Sequence, residues 1–309
     1  MARFSSNRGP SRTAALVQGA AALVSSSVSD STASSYNKTI LEYQDFVRDL
    51  QDDLKSFPAN PGQVILYATD LFQKKYAPAT IASRLSALTY WHKIHSHPDP
   101  CSHFLVQKLL TGTKKSKPQI DDRQPITPPM LQSMFDVMPQ LGFPFFQVTL
   151  YRAMLVLSFS AFLRPGEITK SDNNLLFSDV ALFKDQFDIT FSRFKHHVGN
   201  PVTISLTPSQ SPPCPIAAMS AYLQLRGKHQ GPLFCTPSGQ PIPYREYAAL
   251  FNRLQTRLGL TGKLTPHCAR IGAATFAATQ GVSEENLRAM GHWKSTAYRS
   301  YVRIQSFKR

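Results

Sequence analysis

A polar stretch with four prolines, TGTKKSKPQIDDRQPITPP, interrupts the sequence at residues 111–129. It holds too few apolar residues to build a core, and this composition is typical of a linker between domains. Apolar residues recur regularly on both sides of it. We therefore predict a first domain at 30–111, a linker at 112–126 and a second domain at 127–309. Residues 1–29 are rich in Ser, Ala and Arg and are predicted to form a flexible N-terminal arm, with a short helix as an alternative around 14–24.

The first domain has the apolar spacing of helices. Aromatic and aliphatic residues recur every three or four positions after Asp30, Pro61 and Pro78, and a shorter helix is predicted at 104–110. Proline is favoured in the first turn of a helix, where its missing N–H would have no partner in any case. The pattern therefore predicts an all-helical domain of about four helices.

The second domain combines helices with a short β segment. Residues 151–162, YRAMLVLSFSAF, are apolar on nearly every side, which indicates a helix buried in the core. FDITF and VTISL, at 187–191 and 202–206, instead alternate apolar and polar residues, and HHVGN between them has turn residues. The predicted fold class is therefore mainly α with a small β-sheet (α+β).

The charge of the chain indicates a polyanionic partner. The formal net charge is +15, and residues 128–309 carry +10 of it against +3 in residues 1–110. Such a surface favours nucleic acid or an anionic membrane, with a solvated basic surface as the alternative. No segment approaches the roughly 18 consecutive apolar residues of a membrane-spanning helix, so no membrane partner is expected. The four cysteines form no CxxC pair, and no metal site is predicted.

Candidate functional residues are concentrated in the segment 264–303. Pro266 begins a predicted helix on which His267 and Arg270 lie three positions apart on one face, so both side chains can reach one anion. Taken singly, each has an ordinary structural explanation, such as a hydrogen-bonded buried histidine or an arginine paired with a carboxylate. Their combination with the residues that follow is what indicates chemistry.

Those following residues are two aromatic pairs. His292 and Trp293 come directly after a second short helix, and residues 296–303 are predicted to form a third helix that bears Tyr298 and Tyr301. The two tyrosines are three positions apart and so lie on roughly the same helical face.

The order of these residues resembles the C-terminal signature of the tyrosine recombinase family, which includes Xer, Cre and the phage integrases. The motif HCAR contains His267 and Arg270, GHW contains His292, and Tyr301 follows that histidine by nine residues. The resemblance covers residues 30–305. It implies a helical core-binding domain and a catalytic domain that close around duplex DNA, with Tyr301 as the nucleophile.

Two further catalytic residues are implied by the same resemblance. The family has an arginine at the end of a buried helix, and FLRPGEI places Arg164 there, with Glu167 nearby as a supporting residue. A lysine on a β-hairpin follows, and Lys195 fits it better than Lys184. HCARIGAAT and GHWKSTAYRSYVR are most similar to recombinases of DIRS-type retroelements and Crypton-type DNA transposons. Cys268 and Ile271 depart from the bacterial pattern in the HxxR segment.

The chemistry of phosphodiester attack explains these residue types. Negative charge grows on the phosphate oxygens, so Arg164 and Arg270 suit the site because guanidinium groups stay charged and present paired N–H donors. His292, supported by Trp293, would add another donor, and His267 would assist proton transfer. The hydroxyl of a tyrosine has a pKa of about 10 in water, so the nucleophile needs its phenolate stabilised by these cations.

Lys195 is the predicted general acid, because the leaving 5′ oxygen departs poorly unless it is protonated. The phosphotyrosine bond keeps the energy of the diester, so no cofactor is expected. Tyr298 is the less favoured nucleophile, since its distance from His292 does not fit the family. The pair His196 and His197 is interpreted as a phosphate contact, because no further metal ligand lies at a suitable spacing.

The expected partner is double-stranded DNA. The resemblance implies a homo-tetramer on two DNA sites, with a dimer on each site, and a nuclear location. Two alternative functions remain open: a recombinase-derived DNA-binding protein that has lost catalysis, and a type IB topoisomerase that shares the site but relaxes supercoils without bringing two duplexes together.

Overall fold

The chain divides into two units in the computed structural model, Met1–Ile120 and Asp121–Arg309, and helices are the main regular structure of both. The structure describes residues 12–50, 54–118, 121–192, 200–208, 213–293 and 295–303. Within these ranges, no helix is both long and apolar enough to cross a bilayer.

The described part of the first unit is all-helical. Its elements are α1 (Arg12–Ser25), α2 (Asp30–Leu50), α3 (Pro61–Gln73), α4 (Pro78–Ile94), a 3₁₀ turn (Pro100–Ser102) and α5 (Phe104–Ser116). The core lies between α2, α3 and α4 and includes Tyr43, Tyr67 and Leu85. α1, which lies within the segment predicted as an arm, has no buried residue and so lies outside this core.

The start of α3 shows how the sequence sets a helix boundary. The side chain of Asn60 accepts a hydrogen bond from the amide of Gln63 at 3.0 Å, and the side chain of Gln63 accepts one from the amide of Asn60 at 2.9 Å. Pro61 occupies the first turn. This reciprocal cap satisfies two amides that a helix start leaves unpaired, so the helix begins here.

α5 is longer than the predicted helix at 104–110. It continues to Ser116, into the stretch for which a linker is predicted, and Val106 and Thr113 are buried along it. The added turns contain Lys114 and Lys115. Lysine is a good helix former, so a charged composition alone does not end a helix that has a buried face.

In the second unit, helices come before and after a small sheet along the chain. Its helices are α6 (Pro128–Val137), α7 (Phe145–Ser160), α8 (Pro165–Ile168), α9 (Pro215–Arg226), α10 (Tyr244–Leu258), α11 (His267–Thr279) and α12 (Glu284–Met290). Its strands are β1 (Val180–Leu182), β2 (Phe187–Phe191) and β3 (Val202–Leu206), and its 3₁₀ turns are Met138–Leu141, Phe177–Asp179 and Thr296–Ser300. The fold class predicted from the sequence is confirmed.

α7 is the central helix of this unit. It is buried on nearly every side, as its apolar sequence predicts, and packs against α9 and α11. The chain leaves it through Phe162, whose φ of 54° is left-handed. α7 therefore places the residues that follow it, including Arg164, beside α11.

The sheet is antiparallel in the order β1-β2-β3. Phe187, Ile189 and Phe191 of β2 are buried, and Ile189 pairs with Val180 on one side and Ile204 on the other. β2 and β3 coincide with the two alternating segments of the sequence. β1 was not predicted, because three residues are too few to show an alternation.

The prediction of a helix at 296–303 is wrong. The structure has a 3₁₀ turn over Thr296–Ser300, and Tyr301 follows it. The amide of Tyr301 donates to the carbonyl of Tyr298 at 2.8 Å, which is the shorter bonding step of a 3₁₀ helix. The amide of Arg303 donates to the hydroxyl of Thr275 in α11, so helical hydrogen bonds do not continue beyond Tyr301.

Candidate active site

α11 carries two of the predicted site residues, His267 and Arg270, and the chain entering the second unit packs across it. The amide of Ile126 donates to the carbonyl of Cys268 at 3.2 Å. A Cβ at position 272 would overlap the Ile126 carbonyl, so Gly272 allows this close approach. The crossing holds the first half of α11 in place.

Arg270 is fully buried and is held by main-chain acceptors. The exposed fraction of the residue is 0%. Its Nη1 donates to the carbonyl of Phe162, and its Nη2 donates to the carbonyl of Gly291 at 2.5 Å. Left-handed backbone is rare in residues other than glycine, and it recurs at functional sites. The strained residue after α7 thus supplies an acceptor for a buried cation.

Two aromatic rings lie against this guanidinium. The Cζ of Arg270 is 4.2 Å from the ring centroid of Trp293 and 5.4 Å from that of Tyr301. A desolvated cation–π contact contributes about 2 kcal/mol. Trp293 reaches the cation because Gly291 has no side chain, since a Cβ there would overlap the indole ring.

Gly291→Ala is expected to lower the free energy of unfolding by roughly 1–3 kcal/mol, because the new methyl group must push Trp293 away from Arg270. Urea denaturation followed by tryptophan fluorescence measures this. Gly166→Ala is the control, since its Cβ would lie 3.6 Å from the hydroxyl of Ser171, an ordinary contact. Equal stability of the two variants would contradict the close packing at position 291.

Tyr301 lies among the other site residues. Its ring centroid is 5.2 Å from that of His267 and 5.1 Å from that of Trp293. Its carbonyl oxygen is 3.0 Å from the hydroxyl of Thr275, a buried residue of α11. Tyr301 therefore adjoins both a histidine and the buried guanidinium of Arg270.

Tyr298, the less favoured nucleophile, has different surroundings. The residue is 4% exposed, and its ring centroid is 6.3 Å from that of Trp293. Its hydroxyl accepts a hydrogen bond from the Nε of Arg299 at 3.3 Å, and Arg299 pairs with Glu284 at 3.5 Å on the surface. The Tyr298 hydroxyl thus contacts Arg299, one member of a surface ion pair.

Arg164 follows α7 and is held by Glu167. The Nη1 of Arg164 donates to Glu167 Oε1 at 3.0 Å, and its amide donates to Oε2 at 2.6 Å. Glu167 is 3% exposed, so this carboxylate fixes both the main chain and the side chain of the arginine. Burial is the main cause of the lowered pKa values of His267 and Arg270, and the positive charge of Arg164 adds to both shifts.

His292 also has left-handed backbone, with a φ of 51°. Its ring centroid is 4.7 Å from that of Phe191, the last residue of β2. The contact brings the end of the central strand next to Trp293 and the rest of the site. The sheet therefore takes part in building the site.

Three residues singled out in the sequence lie outside the part of the chain that the structure describes. Lys195, the predicted general acid, lies outside the described residues, and so do His196 and His197. Lys184, the alternative lysine, is exposed between β1 and β2. Among the described residues, no group of three or more His, Cys, Asp or Glu side chains is arranged to hold a metal ion.

The site has an excess of positive charge. Burial, followed by the charges of Arg123, Arg270 and Arg164, lowers the pKa of His267 to about 4. Burial and the charge of Arg164 lower the pKa of Arg270, although a guanidinium remains charged at neutral pH. His267 is therefore neutral at pH 7 and able to accept a hydrogen bond. An anion bound between His267 and Arg270 would raise both pKa values.

The lowered pKa of His267 has a consequence for stability. Between pH 6.5 and about 4 the unfolded chain binds a proton at this residue more readily than the folded protein does. The free energy of unfolding is expected to fall as the pH drops through this window, and to be unaffected by His267 above it. His267→Gln should show a shallower fall in urea denaturation at each pH. Identical pH profiles would contradict the burial of a neutral imidazole.

Three residues at the site were missed in the sequence. Phe162 contributes through its carbonyl oxygen, so its residue type carries no signal. Arg123 lies in the stretch predicted as a linker, and Thr275 lies on the predicted helix that carries His267 and Arg270 but was not singled out. Only the spacing of Thr275, eight residues after His267 and so near the same helical face, pointed towards the site.

Comparisons with known proteins identify the fold. No family model and no curated protein matches the sequence. The structure is similar to the Tn1549 transposon integrase in complex with transposon right end DNA, with a TM-score of 0.56, 17% identity and coverage of 84% of this chain and 88% of that one. It is also similar to a lambda integrase dimer bound to a COC′ core site, with a TM-score of 0.60, 15% identity and coverage of 98% and 83%.

A third similar structure is the XerH site-specific recombinase bound to a palindromic difH substrate in a post-cleavage complex. Its TM-score is 0.62 at 12% identity, with coverage of 86% of this chain and 74% of that one. These neighbours are tyrosine recombinases and integrases, so the fold implied by the sequence resemblance is confirmed. The affiliation with DIRS or Crypton elements stays a prediction.

Proposed function

We propose that this protein is a site-specific DNA recombinase or integrase that cleaves and rejoins DNA strands through Tyr301. The observation that carries the proposal is the meeting of a tyrosine, a neutral histidine and buried guanidinium charge in one place. The ring of Tyr301 lies next to those of His267 and Trp293, and its centroid is 5.4 Å from the Cζ of Arg270. His267 and Arg270 come from α11, and Trp293 and Tyr301 come from the chain that follows α12.

Arg270 has a donor that is available to bind a phosphodiester. The Nε of Arg270 is buried and has no hydrogen-bond partner within the described ranges, although its two Nη groups donate to carbonyl oxygens. A buried donor without a partner costs about 1–3 kcal/mol, and a phosphate oxygen would satisfy it. Because Arg270 is covered in this conformation, an entering phosphate has to separate the ring of Tyr301 from the guanidinium.

The reaction balances without another reactant. The phenolic oxygen of Tyr301 bonds to phosphorus, the bond from phosphorus to the 5′ oxygen breaks, and a 3′-phosphotyrosine forms. We assign the phenolic proton to His267, whose pKa rises when a negatively charged phosphate enters the cationic site. We assign Lys195 as the donor of the proton that the 5′ oxygen takes up. Attack by another 5′ hydroxyl reverses the step and joins the strands.

The finer parts of the proposal rest on the resemblance of the C-terminal motifs. We propose that the protein serves a mobile element of the DIRS or Crypton type, works in the nucleus and acts as a tetramer on two DNA sites. The net charge of +15 supports duplex DNA as the partner. Affinity for DNA is then expected to fall steeply with salt, as it does wherever phosphate contacts dominate.

The direct test is a nicked suicide substrate incubated with the protein in EDTA. Cleavage next to the nick releases a short fragment, so the covalent complex cannot revert and runs as a slower band on a denaturing gel. The proposal predicts this band with wild-type protein. Its absence on every candidate site, in the presence of demonstrated DNA binding, would favour a DNA-binding protein that has lost catalysis.

A second assay separates recombinase from type IB topoisomerase, which would use the same chemistry. Joining of two separate duplexes is expected from a recombinase. Relaxation of supercoils without joined products would identify a topoisomerase.

A further inference from the structure

The chain that follows Tyr301 is tied to the chain that enters the second unit. The Nη2 of Arg303 donates to Asp121 Oδ2, and its Nη1 donates to the carbonyl of Arg123 and to that of Asp121, the latter at 3.3 Å. Arg123 donates to the same carboxylate from Nε and Nη2, each at 2.8 Å. Asp121 therefore bridges two arginines, and Arg123, then Arg303, hold the pKa of its carboxyl well below the usual range.

The same segment is anchored to α11. The hydroxyl of Thr275 lies 2.7 Å from the carbonyl of Ile271 and 3.0 Å from that of Tyr301, and it accepts a hydrogen bond from the amide of Arg303 at 3.1 Å. Thr275 is fully buried, so water does not compete for these bonds. We call the set Asp121, Arg123, Thr275 and Arg303 the clasp.

We propose that the clasp is a positioning device for the nucleophile. It fixes the main chain of Tyr301 and leaves the ring to turn from Arg270 towards an incoming phosphate. The 3₁₀ turn ends at Ser300, so regular helical hydrogen bonds do not continue past the tyrosine. The clasp supplies the missing restraint from both the main chain and the side chain of Arg303. This inference rests on the proposed function of Tyr301.

Asp121 is the residue that separates this role from DNA binding. It is an acid, so it repels DNA phosphates, and its replacement by asparagine should leave DNA affinity unchanged or raise it. A misplacement of about 1 Å in a reacting group can cost roughly 10²-fold in rate. Asp121→Asn is therefore expected to lower the rate constant of covalent complex formation at saturating protein by roughly 10- to 100-fold, without weaker DNA binding.

Asp122→Asn is the matched control. It removes the same charge one residue away, where the side chain is 66% exposed and its nearest cation, Lys263, is 4.0 Å distant. Its rate constant is expected to equal that of wild type. Asp121→Glu keeps the carboxylate and should recover part of the lost rate. Equal rate constants for Asp121→Asn and Asp122→Asn, or loss of DNA binding in Asp121→Asn, would overturn the proposal.

Hydrogen exchange of the wild type and Asp121→Asn without DNA tests the clasp independently of catalysis. The amides of Tyr301 and Arg303 donate to Tyr298 and Thr275, and both are expected to exchange at least about tenfold faster in the variant. Unchanged exchange would overturn the proposal even if cleavage is slow. If wild type forms no covalent complex but the variant exchanges faster, the proposed function fails while the restraint on the segment stands.

Discussion

Replacing Arg270 with lysine is expected to slow covalent complex formation by about 10²- to 10³-fold, although the positive charge is kept. The guanidinium spreads its donors over two carbonyl oxygens and still has a buried Nε for a phosphate oxygen. A lysine ammonium is a single point that cannot hold the Phe162 and Gly291 carbonyls and also contact the phosphate. Single-turnover cleavage of the nicked substrate at saturating protein measures the rate constant.

Arg226→Lys is the control for general damage to a buried arginine. Arg226 is 4% exposed, lies over the ring of Phe177 at 4.4 Å, and donates only to carbonyl oxygens between Gly227 and Leu233. Its replacement should lower the free energy of unfolding and leave the rate per folded molecule unchanged. An equal loss of rate in both variants would mean that Arg270 acts through stability alone.

Replacing Tyr301 with phenylalanine is expected to abolish the covalent complex, with a fall of at least about 10⁴-fold in rate. The change removes one oxygen atom, and the ring that contacts His267, Trp293 and Arg270 remains. The free energy of unfolding and the affinity for DNA should therefore stay near those of wild type. The denaturing gel measures the rate of covalent complex formation. Urea denaturation measures the free energy of unfolding, and DNA titration measures the affinity.

Tyr298→Phe is the matched variant, because it deletes the same atom three residues earlier. The Tyr298 hydroxyl contacts Arg299 beside the exposed pair with Glu284, so its loss should change the cleavage rate by less than threefold, on the order of a weak surface hydrogen bond. Loss of the covalent complex in Tyr298→Phe, with cleavage kept in Tyr301→Phe, would exchange the roles of the two residues.

The elements with a strong local pattern were predictable from the sequence. Residues 187–191 and 202–206 alternate, and they are β2 and β3. α7 is as buried as its apolar sequence indicates, and α4 begins at Pro78. At the site, the motifs identified His267, Arg270, Trp293 and Tyr301, which the structure brings together.

What escaped prediction depends on long-range contacts. The turn that ends at Ser300 has helical spacing in sequence, and only the bonds from Thr275 to the following chain show why it does not continue as a helix. Asp121 and Arg123 have a linker composition, yet Arg303, far along the chain, binds both. Contacts of this kind join residues that no local period connects.

The central claim is that the hydroxyl of Tyr301 forms the bond to phosphorus. Mass spectrometry of the trapped complex, after digestion of the protein and trimming of the DNA, measures it directly. The account predicts a nucleotide attached through a 3′-phosphate to the peptide that contains Tyr301, and fragment ions that place it on that residue. A nucleotide found on any other residue, or attached through a 5′-phosphate, would contradict it.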